Sequence, residues 1–212
     1  MSIQTVFLMA GGQGERWTAP SPKELAPING TPAVSLIMGQ CRRRLTLEPY
    51  LVTGKKDIID VARAKFVLRP SNTIIESLQD AIRLVTASPV LVLLSDCVYT
   101  SEAWDVIVSA GAQDNTNGLA VIGSKPKGEI YALVIHDMIH VRGALDFAVH
   151  SHLAHKTPYR LWSLYRSFCG MPLDIHQYDK TGVFIDIDND AYDWDLVETY
   201  NQVLGYIKTR TL

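Results

Sequence analysis

Three glycines, at positions 11, 12 and 14, follow an apolar run and lead into Arg16 and Lys23. Glycine lets backbone approach a ligand closely, so Ala10-Gly11-Gly12 together with Gly14 can gather consecutive N–H groups into one concavity. Such a nest suits an anion, and polyphosphate is the anion that most often needs one. Arg16 closes the turn, and Lys23 follows Pro22, which fixes the local backbone. Two cations beside a phosphate cradle serve transfer at phosphorus, where charge must be neutralised as the leaving group departs.

Carboxylates supply the complementary half. Asp96 stands in Ser95-Asp96-Cys97, where the apolar run 89–94 stops. That run shows no alternation, which predicts a parallel strand buried on both faces. A carboxylate at the carboxyl end of such a strand sits where open α/β sheets bind ligands. Later, Asp186 and Asp188 alternate in Phe184-Ile185-Asp186-Ile187-Asp188, which puts both on one side of a strand. Adjacent like charges repel unless a cation joins them. A few carboxylates, with the other positions left to water and phosphate oxygens, is how a Mg²⁺ site looks in sequence. Asp96, Asp186 and Asp188 are therefore the candidate ligands. A helix cap within 188–190 is the structural use of the same run.

The elements that must position these groups read as an α/β alternation. Strands are expected over 3–9, 49–53, 65–68, 89–94, 119–124, 130–135, 173–178 and 183–188. Helices are expected over 32–44, 56–63, 74–87, from 101, over 144–155, 159–168 and 191–207. Pro32 opens the first helix at a position where its missing N–H costs nothing, and Arg42-Arg43-Arg44 falls in its last turn, complementing the dipole. Apolar residues at 74, 75, 78, 81, 82 and 85 keep a 3.6-residue rhythm. Asn72 or Thr73 caps that helix, with Glu76 placed for a capping box. Tyr159, Trp162, Tyr165 and Phe168 recur at helical spacing, as core or as a homodimer face. His150, His152 and His155 lack the spacing and partners of a zinc site.

Bulk properties narrow the class. At 212 residues the chain suits one α/β domain, with a nucleotide-binding part over 1–117, an acceptor part over 118–182, and a metal strand and closing helix over 183–212. A net charge of −2 advertises no nucleic acid and no anionic membrane. No apolar run approaches membrane-spanning length. Three scattered cysteines without metal-ligand spacing suit a reducing cytoplasm.

The front end does not read as a G-x-x-x-x-G-K-[ST] loop, since Lys23 lies outside the glycines, nor as a dinucleotide fingerprint, which gives Arg16 and Pro22-Lys23 no role. The whole string resembles the signature of the nucleotidyltransferases with the nucleotide-diphospho-sugar transferase fold, the sugar-phosphate and MobA-like NTP transferases. That signature is L-x-A-G-G-x-G-x-R, a short gap, P-K-x-L, then P-x-x-G-x-P. Here it reads Leu8 to Arg16, then Pro22-Lys23-Glu24-Leu25 and Pro27-Ile28-Asn29-Gly30-Thr31-Pro32. The resemblance implies a Rossmann-like three-layer α/β/α sandwich with a mostly parallel mixed sheet. It implies transfer of a nucleoside monophosphate from an NTP to a phosphorylated small molecule, with Mg²⁺, in sugar-nucleotide-type biosynthesis.

Arg16 and Lys23 then stabilise the phosphates, and Ala10, Gly11, Gly12 and Gly14 cradle them. Asn72, Thr73 and Ser77 lie beside the base and ribose. Lys125, in Ser124-Lys125-Pro126, matches the lysine of the family's Glu-Lys-Pro and contacts a substrate phosphate; the family's glutamate is replaced by serine. Glycosyltransferases of the related fold carry Asp-x-Asp where Ser95-Asp96-Cys97 stands. Molybdopterin-type members favour Asp-Lys where Pro22-Lys23 stands. A non-catalytic nucleotide-binding domain is the remaining alternative, although degenerate sites lose charges first.

Overall fold

The alternation of β-branched and apolar runs with amphipathic segments folds into a sheet covered on both faces. The computed structural model describes residues 2–12, 16–113, 117–155, 160–174, 182–188, 190–208, 210 and 212. In chain order β1 is Thr5–Met9, followed by a 3-10 turn at Lys23–Leu25, β2 Pro27–Ile28, β3 Thr31–Pro32 and α1 Ala33–Leu45. Next come β4 Tyr50–Val52, α2 Lys56–Ala62, β5 Phe66–Leu68, α3 Ile74–Arg83, β6 Val90–Leu94 and β7 Cys97–Tyr99. Then α4 Ser101–Ala112, β8 Leu119–Ser124, β9 Glu129–Ile135, α5 Met138–His155 and α6 Leu161–Phe168. Last are β10 Phe184–Asp186, β11 Ala191–Asp193 and α7 Val197–Ile207.

Seven strands form one sheet in the order β10-β8-β9-β6-β1-β4-β5. Only β9 runs against the others. Alternation along β1 splits the core. Val6 and Leu8 face Val34, Ile37 and Met38 of α1 together with Trp104 and Ile107 of α4. Phe7 and Met9 face Ile75, Leu78 and Ile82 of α3 with Leu145 of α5 and Leu164 of α6. The expected three-layer sandwich is present. At roughly 25 cal/mol per Å² of apolar surface, these two faces are the main drive for folding. A third, smaller cluster joins Ala26, Ile28, Val98, Trp194, Val203 and Ile207, so α7 packs with the short β2 and β7–β11 segments rather than in either of the two main core clusters.

Several expectations shift on contact with the fold. The 191–207 helix is instead the short strand β11 followed by α7, because Ala191–Asp193 pairs antiparallel with β7 and finds its backbone partners there. The 74–87 helix stops at Arg83. Thr73 caps it, accepting from Glu76 N at 3.2 Å. The helix expected over 144–155 begins earlier, at Met138. Trp162 and Tyr165 pack with Phe184, so their aromatic stripe is core, while Tyr159 lies outside the described residues. Most of the strand expected over 173–178 lies outside them too. Arg42, Arg43 and Arg44 lie in the last turn of α1, and Arg42 forms a two-pronged pair with Glu48 there. Among the described residues no helix is long and apolar enough to cross a membrane.

Candidate active site

β1 and β6 run parallel and in register, with Met9 opposite Leu94, so the glycine turn and Asp96 leave the sheet at the same edge. Ser95 N–H donates to Met9 O at 3.1 Å and fixes that juxtaposition. Gly11 is required by close approach: a Cβ there would meet Pro70 Cβ at 2.9 Å, whereas one on Gly12 would meet nothing within 4 Å. Gly14 lies outside the described residues. Gly11, Gly12, Lys23, Asn72, Thr73, Ser77 and Asp96 line one cavity of about 200 Å³. Ala10 lies buried just beneath, its carbonyl accepting from Thr53 Oγ1 at 2.8 Å.

Lys23 is the hub. It stands on the 3-10 turn after Pro22, 9% exposed, and its ammonium pairs with Asp96 and lies 2.8 Å from Asp195 Oδ1. Burial opposes the charge, but the two carboxylates outweigh it and raise the Lys23 pKa above the ordinary lysine value. Arg16, largely exposed, pairs with Asp195 from the other side. Burial works against the Asp195 charge as well, yet Lys23 and Arg16 hold its pKa below the usual aspartate value. The neighbouring acids shift the other way. Asp193 is pushed up to about 6 by burial and by Asp96 and Asp195, and Glu129 to about 7 by burial and by Asp193 and Asp195. The carboxylates around Asp96 and Asp195 crowd one another.

This arrangement does not bring the expected metal set Asp96, Asp186 and Asp188 together around Lys23. β10 lies three strands from β6, roughly 14 Å at the usual strand spacing. Asp186 and Asp188 leave the sheet on the same rim but away from Lys23. Asp188 accepts from Ser124 Oγ at 2.5 Å and pairs with Lys127 at 3.4 Å, while Asp186 accepts from Lys125 N at 3.3 Å. The acids brought beside Asp96 are Asp193 and Asp195, because the β7–β11 pair sets Asp193 opposite Cys97. Among the described residues no three carboxylate, histidine or cysteine side chains form a ready-made cage. Asp96 and Asp195 meeting on one ammonium, with Asp193 crowded beside them, nonetheless fit Mg²⁺, which takes few carboxylates and completes its shell with water and phosphate.

Two further expectations change. Ser77 Oγ donates to Thr73 O at 2.6 Å and accepts from Ser71 N at 2.9 Å, so it shapes the 71–73 loop. Exposed Asn72 is the member of that group whose amide is open to a ligand. Lys125 does not line the second cavity beside the site; its ammonium stands over the Phe184 ring at 5.7 Å. That cavity, about 550 Å³, is lined by Arg16, Glu129, Arg160, Trp162 and Arg166 and shares Ile74 and Leu94 with the first. Trp162 is fixed by donating to Gly128 O at 2.9 Å and stacking on Phe184. Arg160 and Glu129 carry no sequence signal of their own, and only the tertiary fold brings them here.

A glycine turn at a sheet edge, a buried lysine bridging two acids, and paired cavities on either side frame a candidate site for a phosphorylated ligand. Comparison with known proteins narrows this. Residues 6–162 match the model of the MobA-like NTP transferase domain, and the chain belongs to that family. Among solved structures, the bifunctional IspDF of Campylobacter jejuni matches with a TM-score of 0.66 at 11% identity. It covers 95% of this chain and 54% of that one, so this chain spans about half the length of that relative. A putative glucose-1-phosphate thymidylyltransferase from Bacillus anthracis gives 0.66 at 12% identity, covering 98% of this chain and 96% of that one. The CTP:phosphocholine cytidylyltransferase of Streptococcus pneumoniae gives 0.62 at 12%, covering 98% and 100%. At these identities the likeness is one of fold. No curated protein matches the chain by sequence.

Proposed function

We propose that this protein transfers a nucleoside monophosphate from an NTP to a phosphorylated small-molecule acceptor, with Mg²⁺, and releases pyrophosphate. The observation that carries the reading is the pair of cavities meeting at Ile74 and Leu94, with Lys23 and Asp96 lining one and Arg16 the other. Nucleotide on the Gly11–Asn72 side and acceptor on the Arg160–Trp162 side approach each other at the charged cluster. An oxygen of the acceptor phosphate attacks the α-phosphorus, and the bond from that phosphorus to the bridging oxygen of the β-phosphate breaks. Pyrophosphate leaves with the bonding electrons.

The acceptor phosphate is already ionised, so the protein supplies no nucleophile; it supplies position and charge. Lys23 offsets charge gathering on the α-phosphate, and Arg16 stabilises the departing β,γ-phosphates. Asp96 and Asp195 would hold the Mg²⁺, which when bound neutralises phosphate oxygens. The names of the thymidylyltransferase and cytidylyltransferase neighbours support an acceptor of the glucose-1-phosphate or phosphocholine kind, and methylerythritol phosphate is a third class that the proposed reaction would accommodate. A reducing cytoplasm is the setting we propose, in keeping with Cys41, Cys97 and Cys169, none of which forms a disulfide among the described residues.

The test is pyrophosphate release from CTP, UTP, GTP, ATP and dTTP with Mg²⁺ and a panel of those three acceptor classes. One NTP–acceptor pair should release pyrophosphate in step with nucleotide-linked product. Release of nucleoside diphosphate from a nucleotide sugar instead would show a glycosyltransferase and end this reading.

A further inference from the structure

The end of β4 supplies a cation that the glycine turn and the Pro-Lys motif do not contain. Lys55 N–H donates to Thr53 Oγ1 at 3.2 Å, and the same hydroxyl donates to Ala10 O, so this backbone is built onto the residue that follows β1. The Lys55 ammonium then reaches Gly12 O at 2.6 Å and Glu24 Oε1 at 3.3 Å. One side chain thus touches both the glycine turn and the turn that carries Lys23.

Glu24 is 1% exposed, and its Oε2 has no hydrogen-bond partner among the described residues, although Glu24 lines the cavity with Gly12 and Asp96. An ammonium has three protons. Lys55 has two protein acceptors among the described residues, and its side chain is 30% exposed. A carbonyl such as Gly12 O, beside a bound polyphosphate, presents a negative dipole to a negative ligand. A cation on that carbonyl reverses the local field.

We propose that Lys55 is a third cation of the triphosphate site, holding the Gly12 carbonyl with one proton and offering another to the β,γ-phosphate tail. This rests on the nucleotidyl-transfer reading above. Glu24 is then the counter-ion that keeps the ammonium in place until a polyanion arrives. As a neighbour of Asp96 as well as of Lys55, Glu24 is a poor permanent partner, and a triphosphate outcompetes it.

The experiment is calorimetric titration of the full chain with CTP, CDP and CMP, and with the matching ATP, GTP and UTP sets, all with Mg²⁺. For Lys55→Met, triphosphate affinity should fall about ten- to a hundredfold, the scale of one lost charged hydrogen bond, while monophosphate affinity stays the same. Lys55→Arg should restore most of the loss, and Glu24→Gln should leave triphosphate affinity equal or tighter. An equal loss for mono- and triphosphate would make Lys55 a loop latch only and overturn the proposal. So would unchanged triphosphate affinity in Lys55→Met, or a tenfold loss in Glu24→Gln. Should the unmodified chain bind none of these nucleotides, the nucleotidyl-transfer reading itself falls and takes this one with it.

Discussion

Lys23 Nζ lies 2.8 Å from Asp195 Oδ1, across 172 residues of chain. The contact exists because β11 returns along β7 and delivers Trp194, 1% exposed, into the third core cluster, with Asp195 directly after it. The buried indole anchors the segment, and the carboxylate is aimed by that anchor.

Replacing Lys23 by Ala removes the only ammonium that Asp96 and Asp195 share among the described residues. Turnover should fall on the order of 10²–10³, the scale seen when one preorganised stabilising group is lost. Steady-state pyrophosphate release measures it. A rate near that of the unmodified protein, with melting unchanged, would remove Lys23 from the chemistry.

Asp195→Asn and Asp188→Asn separate the acids. Asp195 shares Lys23 with Asp96, so its amide variant should lose turnover by about 10²-fold and need more Mg²⁺ for half-maximal rate. Asp188 serves Ser124 and Lys127, and its amide variant should stay within about twofold of the parent. Mg²⁺ titrations of the rate decide between them; the reverse ranking would return the metal to the end of β10.

What could be read from the sequence was what the chain encodes locally. The run at 89–94, the Thr73 cap and the glycine turn each declare themselves within a few residues, and β6, the start of α3 and the sheet edge shared by the glycine turn and Asp96 stand where they were expected. Asp186 does end a strand, with Asp188 in the turn just beyond it, but the pattern could not say that β10 lies three strands from β6. β7 and β11 are three residues each and gain their strand character only from pairing with one another, so neither period nor propensity revealed them. Asp193 was hidden for that reason, and Asp195, visible as a residue just past β11, could not be read as a partner of Lys23. Lys55 reads as an ordinary surface lysine until the fold sets it against Gly12.

Stability should depend on pH in a particular direction. Glu129 titrates near 7 and Asp193 near 6 in the fold, against 4.5 and 3.8 as ordinary values. Folded protein therefore holds more protons than unfolded chain between those limits, and stability falls as pH rises through the window. Below about 4.5 the benefit of Glu129 is fully present; above about 7 it is gone. Asp195, held low, acts only at more acid pH. Calorimetry without ligand should show Tm falling from pH 5 to 7.5, and Glu129→Gln should flatten the upper part of that slope. A Tm that climbs steadily across the window in both proteins would mean that the two acids are not crowded as described.

Arg160→Ala and Lys125→Ala test which cation meets the acceptor. Arg160 immediately precedes α6 and lines the cavity with Trp162 and Glu129, whereas Lys125 lies over Phe184 in the β8–β9 turn. A guanidinium that binds an acceptor phosphate in the ground state changes KM more than kcat. Arg160→Ala should therefore raise the acceptor KM about tenfold with the NTP KM unmoved. Lys125→Ala should leave both within about twofold. The acceptor sits between β9 and α6 if that pattern is found. If Lys125→Ala gives the larger rise, the acceptor phosphate binds instead at the turn that follows β8, and the Arg160 cavity serves another purpose.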